Sequence, residues 1–197
     1  MNGGQAAEVP GTWSASLEWL VGRLAPRYPG VGFVEVRYRV KSWRRLDSCV
    51  ADAREALAAV PVGARVCLLG FSMGGAVSIS VAGDPRVERI VGIAPWIPDR
   101  LDVSPVAGRA FASIHGSLDR PLPGISGVDP RATALGLERL RHAGASVDEI
   151  SIAGGLHGIA LRSPLGLVRL PRARAFERAV ARELELLKPV RRVAAST

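Results

Sequence analysis

The stretch Val66 to Ala82, VCLLGFSMGGAVSISVA, constrains the fold most. Residues 65–70 form a short, unbroken apolar run, the pattern of a strand covered on both faces. From Met73 onward small and apolar residues continue at helical spacing. The junction, Gly70-Phe71-Ser72-Met73-Gly74, leaves no room for bulk on either side of the serine. A strand that turns this sharply into a helix is the opening half of a strand–helix–strand unit, which places the chain among proteins with a parallel sheet.

The rest of the chain repeats the alternation. Leu17, Leu20, Val21 and Leu24 fall on one helical face, closed by Pro26. Residues 32–40, GFVEVRYRV, alternate apolar and polar and predict a strand. Leu46, Val50, Ala53, Leu57 and Val60 predict a helix stopped at Pro61. Strands are expected at 65–70, 87–94, 109–116 and 146–154, and helices at 73–82, 130–143 and 171–188. In the helix at 130–143, Leu135 and Leu140 are expected to face inward. In the last helix, Phe176, Val180, Leu184 and Leu187 are expected to do so. The predicted fold class is α/β: one domain over 1–188 with a mostly parallel sheet, helices on both faces and a flexible tail at 189–197.

Composition narrows the partners. The 197 residues are 48% hydrophobic and 22% charged, the balance of a chain with a real core. The net charge of +8 comes almost wholly from arginines spread from Arg23 to Arg192, with no finger spacing or basic–aromatic motif, so nucleic acid is not an expected partner. No apolar run reaches the length of a membrane span and the first residues lack signal-peptide character, so a cytoplasmic protein is expected. Cys49 and Cys67 lack metal-type spacing and read as two buried thiols in a reducing compartment.

Gly-x-Ser-x-Gly between a strand and a helix is the nucleophile-elbow pattern, in which the turn holds the serine hydroxyl above the sheet. Serine needs a base, and the base an orienting acid, following in the order Ser, acid, His in loops after later strands. Ser72, Asp119 (after the strand ending SIHG) and His157 (after the strand ending ISIAGG) satisfy that order. Asp99 and Asp102, after the preceding strand, are the competing acids and read better as turn residues. Asp52 reads as a helix-surface residue and Asp84 as a turn residue. Of the other histidines, His142 reads as solvated and His115 as a packed or hydrogen-bonded structural residue.

With LLGFSMGGAV, GIAPW, SIHGSLDRPLP and GGLHGIALR, and VEVRYRVKSW upstream, the chain resembles α/β-hydrolase-fold proteins, in particular small, cap-less serine hydrolases similar to dienelactone hydrolases. The resemblance implies nucleophile Ser72, acid Asp119 and base His157. It also implies an oxyanion hole from the Met73 N–H and an N–H of an early loop, here Asn2-Gly3-Gly4-Gln5, contributed by Gly4 or Gln5. No cofactor or metal is implied. Dienelactone hydrolases carry cysteine at the elbow, so their substrate does not transfer. The family places a strand before that early loop, between the strands at 32–40 and 65–70. The chain lacks it, and a longer natural chain with an upstream apolar strand is the expectation. The connection from Ala94 to Arg109 is too short for a cap. Residues 158–170, GIALRSPLGLVRL, are candidates either for the wall of an acyl pocket or for packing against the last helix. The expected activity is hydrolysis of an acyl ester or thioester, with a small-molecule substrate. The alternative is a catalytically idle relative that binds a ligand or a partner.

Overall fold

The structure, a computed structural model, describes residues 1–120 and 127–187. The predicted tail at 189–197 and part of the motif after Asp119 lie outside them.

Four of the apolar runs form one parallel sheet. Strands β1 (Val66–Phe71), β2 (Val87–Ile93), β3 (Ala110–Gly116) and β4 (Ser146–Ile152) pair in chain order, each parallel to the next. The helices are α1 (Ala15–Leu24), α2 (Leu46–Ala58), α3 (Met73–Val81), α4 (Pro130–His142) and α5 (Ala173–Glu185). Successive strand residues point to opposite faces, so the two central strands supply two cores. Leu68, Ile90 and Phe111 pack with residues of α2, α3 and α4 on one face. Val91, Ile93, Ile114 and Ile152 pack with Leu17, Leu20, Phe176 and Val180 of α1 and α5 on the other. The connection between β2 and β3 holds one 3-10 turn, Ser104–Val106, and no inserted cap.

The segment 32–40 departs from expectation. It forms no strand, and its one bridge joins Pro10 to Val40. A strand needs a ladder beside it, and here two residues stand in for one. Met1 pairs with the outer edge of β1, its amino group donating to the Leu69 carbonyl at 2.7 Å and its carbonyl accepting from the Phe71 N–H at 3.1 Å. Asn2 takes the other side, donating to the Val36 carbonyl at 2.7 Å, while the Tyr38 hydroxyl donates to the Asn2 carbonyl at 3.2 Å. The alternation in the sequence is real, since Val36 and Tyr38 are buried. As the sheet's edge, β1 is only half-buried rather than covered on both faces.

Smaller corrections follow from the same packing. In α4 it is Leu137 and Leu140 that turn inward, whereas Leu135 is 67% exposed. Asp52 is not a surface residue: it is buried and accepts from the Arg39 backbone N–H at 2.8 Å and its guanidinium at 2.5 Å. Of the cysteines, Cys49 is buried and Cys67 half-buried; neither is in a disulfide, and burial pushes the Cys67 thiol up to about 12. The last helix begins after Pro171 and keeps Phe176 and Val180 in the core, with Leu184 packed against it. Residues 158–170 hold an unforeseen antiparallel hairpin, β5 (Ala160–Ser163) and β6 (Gly166–Arg169). Ile159, just before it, is buried with Phe176, and its N–H donates to Ser16 Oγ of α1 at 2.9 Å. The packing reading therefore holds for that end, while Leu161, Leu165 and Val168 are exposed.

Candidate active site

Ser72 stands at the carboxyl end of β1, directly before α3, with φ 54° and ψ −117°. An L-residue rarely adopts a positive φ, and holding one there costs about 1–3 kcal/mol. The surroundings impose it. The Ser72 N–H donates to the Ile93 carbonyl at 2.9 Å, and its carbonyl accepts from Gly75 N–H at 2.9 Å and Trp96 N–H at 3.0 Å. Both flanking glycines are required by close approach. A Cβ on Gly70 would lie 2.4 Å from the Gly74 carbonyl oxygen, and one on Gly74 would lie 2.2 Å from the Met1 carbonyl oxygen.

Asp119 and His157 arrive on two turns that are sewn together. After β3, Ser117 N–H donates to the Ile152 carbonyl at 3.0 Å and Leu118 N–H to the Gly155 carbonyl at 2.9 Å. Gly154 N–H returns a bond to Ser117 Oγ at 2.9 Å. Gly116 lets the turns touch, since a Cβ there would meet the Gly155 carbonyl oxygen at 2.4 Å. Asp119 is thereby buried at 2% exposure, with Oδ2 2.9 Å from His157 Nδ1 and Oδ1 accepting the Val128 N–H at 3.0 Å. Burial alone would raise its pKa, but the His115 and His157 donors outweigh it and hold the carboxyl below its ordinary value. The His157 ring leans on Phe71, the residue before Ser72, with centroids 5.1 Å apart and planes tilted by 40°. Among the described residues, Ser72 Oγ makes no hydrogen bond.

The early loop lies across the elbow. Gly3 abuts the Phe71 ring, and Gly4 abuts Met73, whose Sδ would stand 2.4 Å from a Cβ at position 4. Asn2 is tied up in structure: its Oδ1 accepts the Ser14 N–H at 2.7 Å and its Nδ2 holds Val36. The Gln5 carbonyl accepts from Trp43 N–H. Of the competing acids, Asp102 accepts from Ser104 N–H at 2.9 Å and Oγ at 3.1 Å, which lower its pKa, and Asp99 is exposed. Both are turn residues. His142 is exposed and bonded to the Glu138 carbonyl of its own helix. Two features escaped the sequence reading: the Phe71 platform, and the proximity of His115 to the acid, with Nε2 2.9 Å from Asp119 Oδ2. The only sequence signal for the latter is a histidine four residues before the acid across a turn.

Among solved structures, an α/β serine hydrolase homologue from Coxiella burnetii superposes with a TM-score of 0.58 at 19% identity, over 84% of this chain and 76% of that one. An uncharacterized protein from Bacillus cereus gives 0.58 at 12% identity, over 95% of this chain and 57% of that one. The chain has the α/β-hydrolase fold. A dienelactone hydrolase-like promiscuous phosphotriesterase from metagenomic libraries gives 0.49 at 18% identity, over 83% of this chain and 65% of that one. No family model matches the sequence, and no curated protein matches it. In this hydrolase fold the elbow serine and the loops after β3 and β4 stand at the carboxyl ends of the strands, where open α/β sheets collect their chemistry. No helix among the described residues is long and apolar enough to cross a membrane.

Proposed function

We propose that the chain is a serine hydrolase of the dienelactone hydrolase-like kind, cleaving a carboxylic ester or thioester through an acyl-enzyme on Ser72. The observation that carries this reading is the Asp119–His157 pair, joined at 2.9 Å and resting on the residue next to a serine held at φ 54°. With Nδ1–H committed to Asp119, His157 Nε2 is the nitrogen left to accept the Ser72 proton. Ser72 Oγ then attacks the carbonyl carbon, and the carbonyl π pair moves onto oxygen. That oxyanion takes the Met73 N–H at the start of α3 and an N–H of Gly4 or Gln5. Collapse breaks the acyl–oxygen or acyl–sulfur bond, and the leaving group takes the proton from His157. Water, deprotonated by the same ring, attacks the acyl-enzyme and frees Ser72. Asp119 stays ionised throughout and stabilises the imidazolium.

Catalytic hydrogen bonds are often long before substrate binds, so a Ser72 hydroxyl without a hydrogen bond among the described residues is compatible with this cycle. It is also the observation that favours the alternative, an idle relative that binds a ligand or partner.

The deciding experiment is intact mass after incubation with a fluorophosphonate. One adduct on Ser72, absent from S72A, is the expected result. A folded protein with no adduct would hand the site to the binding reading.

A further inference from the structure

His115 ends β3 at 9% exposure, and its Nε2 faces two oxygens: the Val128 carbonyl at 3.0 Å and Asp119 Oδ2 at 2.9 Å. An unprotonated nitrogen there would set its lone pair against both, so Nε2 carries a proton. Nδ1 is buried and has no partner among the described residues. A proton on it would be a buried donor with no acceptor, so the ring is the neutral Nε2–H tautomer. Val128 closes the arrangement by giving its N–H to Asp119 Oδ1 at 3.0 Å while its carbonyl accepts from His115.

We propose that His115 is a positioning residue for the reaction assigned to Ser72, fixing the Asp119 carboxylate and setting the basicity of His157 through it. The proposal rests on the hydrolase reading of the site.

Asp119 Oδ2 accepts the His157 N–H at 2.9 Å and lies 2.9 Å from His115 Nε2 of β3, whose N–H goes to the Val128 carbonyl. The positive end of the His115 N–H dipole, this close to Oδ2, offsets part of the same negative charge, so the carboxylate supports an imidazolium at His157 less strongly than it would with His157 alone. Its Oδ1 is held by the Val128 N–H, from the segment before α4, so the carboxylate cannot turn away from either ring. The other groups around His115 are Thr133 of α4 and Glu149 and Ser151 of β4, which line the same cleft, with Glu149 paired to Arg141 at 2.7 Å. A donor lost at position 115 leaves Asp119 with a more concentrated charge, and His157 then holds its proton to higher pH.

The test uses the full chain and compares wild type with H115M, which keeps bulk without a donor, and H115Q, which keeps a neutral N–H. The ring resonances of the three histidines are followed by NMR against pH, alongside the rate of fluorophosphonate labelling. In H115M the His157 midpoint should rise by about 0.5–1 unit, and the acid limb of the labelling rate should move with it. H115Q should keep the wild-type midpoint. An unchanged midpoint in folded H115M, or equal shifts in both variants, would reduce His115 to a packing residue. Should H115M not fold, the wild-type nitrogen shifts decide alone. His115 must carry its proton on Nε2, and a proton on Nδ1 overturns the proposal. Absence of Ser72 labelling in wild type would sink the hydrolase reading, while the NMR comparison would still judge His115.

Discussion

His157 reaches back to Asp119 across 38 positions, bringing Nδ1 within 2.9 Å of an oxygen on a carboxylate whose side chain has no exposure to solvent. A buried carboxylate is retained only if its charge is compensated, and here it accepts from His157 and the Val128 N–H with His115 Nε2 2.9 Å away. Asn at this position keeps the shape but removes the charge that, in the proposed mechanism, supports the imidazolium. D119N should therefore fold and slow Ser72 labelling by about 10³–10⁴-fold. Labelling kinetics with circular dichroism check both halves, and an unslowed variant would mean that Asp119 is not the acid.

The same carboxylate gives the fold a pH dependence. Its pKa lies below the ordinary 3.8 in the folded chain, so the unfolded chain binds the proton more readily. Its stabilising contribution is complete above the ordinary carboxylate value and drains away as pH falls through that value toward the lower folded one. Urea unfolding of wild type should weaken over this acidic window, and D119N should show a shallower slope there. Parallel slopes would assign acid sensitivity to other groups.

The backbone at Ser72 is strained whatever side chain stands there, except glycine. S72A keeps φ 54° with a Cβ in place, while S72G removes the penalty. S72G should be more stable than S72A by about 1 kcal/mol, measured by chemical denaturation, although both lose labelling. Equal stabilities would mean that the elbow relaxes when the hydroxyl is lost.

How much of this was legible in the sequence depends on the reach of the interactions. The four parallel strands and the five helices carry their signal in local periodicity, and the order Ser72, Asp119, His157 follows from strand ends alone. Residues 32–40 carry an equally clear alternation and form no strand, because pairing is a property of two segments and Val36 is bonded to the Asn2 side chain rather than to a backbone ladder. The hairpin after His157 was missed for the converse reason. Its strands, Ala160–Ser163 and Gly166–Arg169, are too short to show a period, and the pairing of Leu161 with Val168 becomes visible only once the turn is made. The inward side of α4 was misjudged at Leu135 because periodicity gives a face without saying which neighbour claims it. Pairing between two buried side chains, as between His115 and Asp119, leaves almost no linear trace.

Asn2 shows how the loop over the elbow is held. It is 1% exposed and joins three segments: its Oδ1 takes the Ser14 N–H before α1, its Nδ2 the Val36 carbonyl, and its own carbonyl the Tyr38 hydroxyl. Alanine would leave a buried N–H and a buried carbonyl without partners, at about 1–3 kcal/mol each. N2A should therefore lower the unfolding free energy by about 2–6 kcal/mol and release Gly3 and Gly4 from Phe71 and Met73. N2D keeps the Ser14 bond but sets a buried negative charge against the Val36 carbonyl, so it should lose at least as much stability as N2A. If Gly4 supplies the second oxyanion donor, N2A should slow Ser72 labelling even under conditions where the fold is fully populated. Labelling at the wild-type rate in folded N2A would remove Gly4 from the oxyanion hole and leave Asn2 a purely structural role.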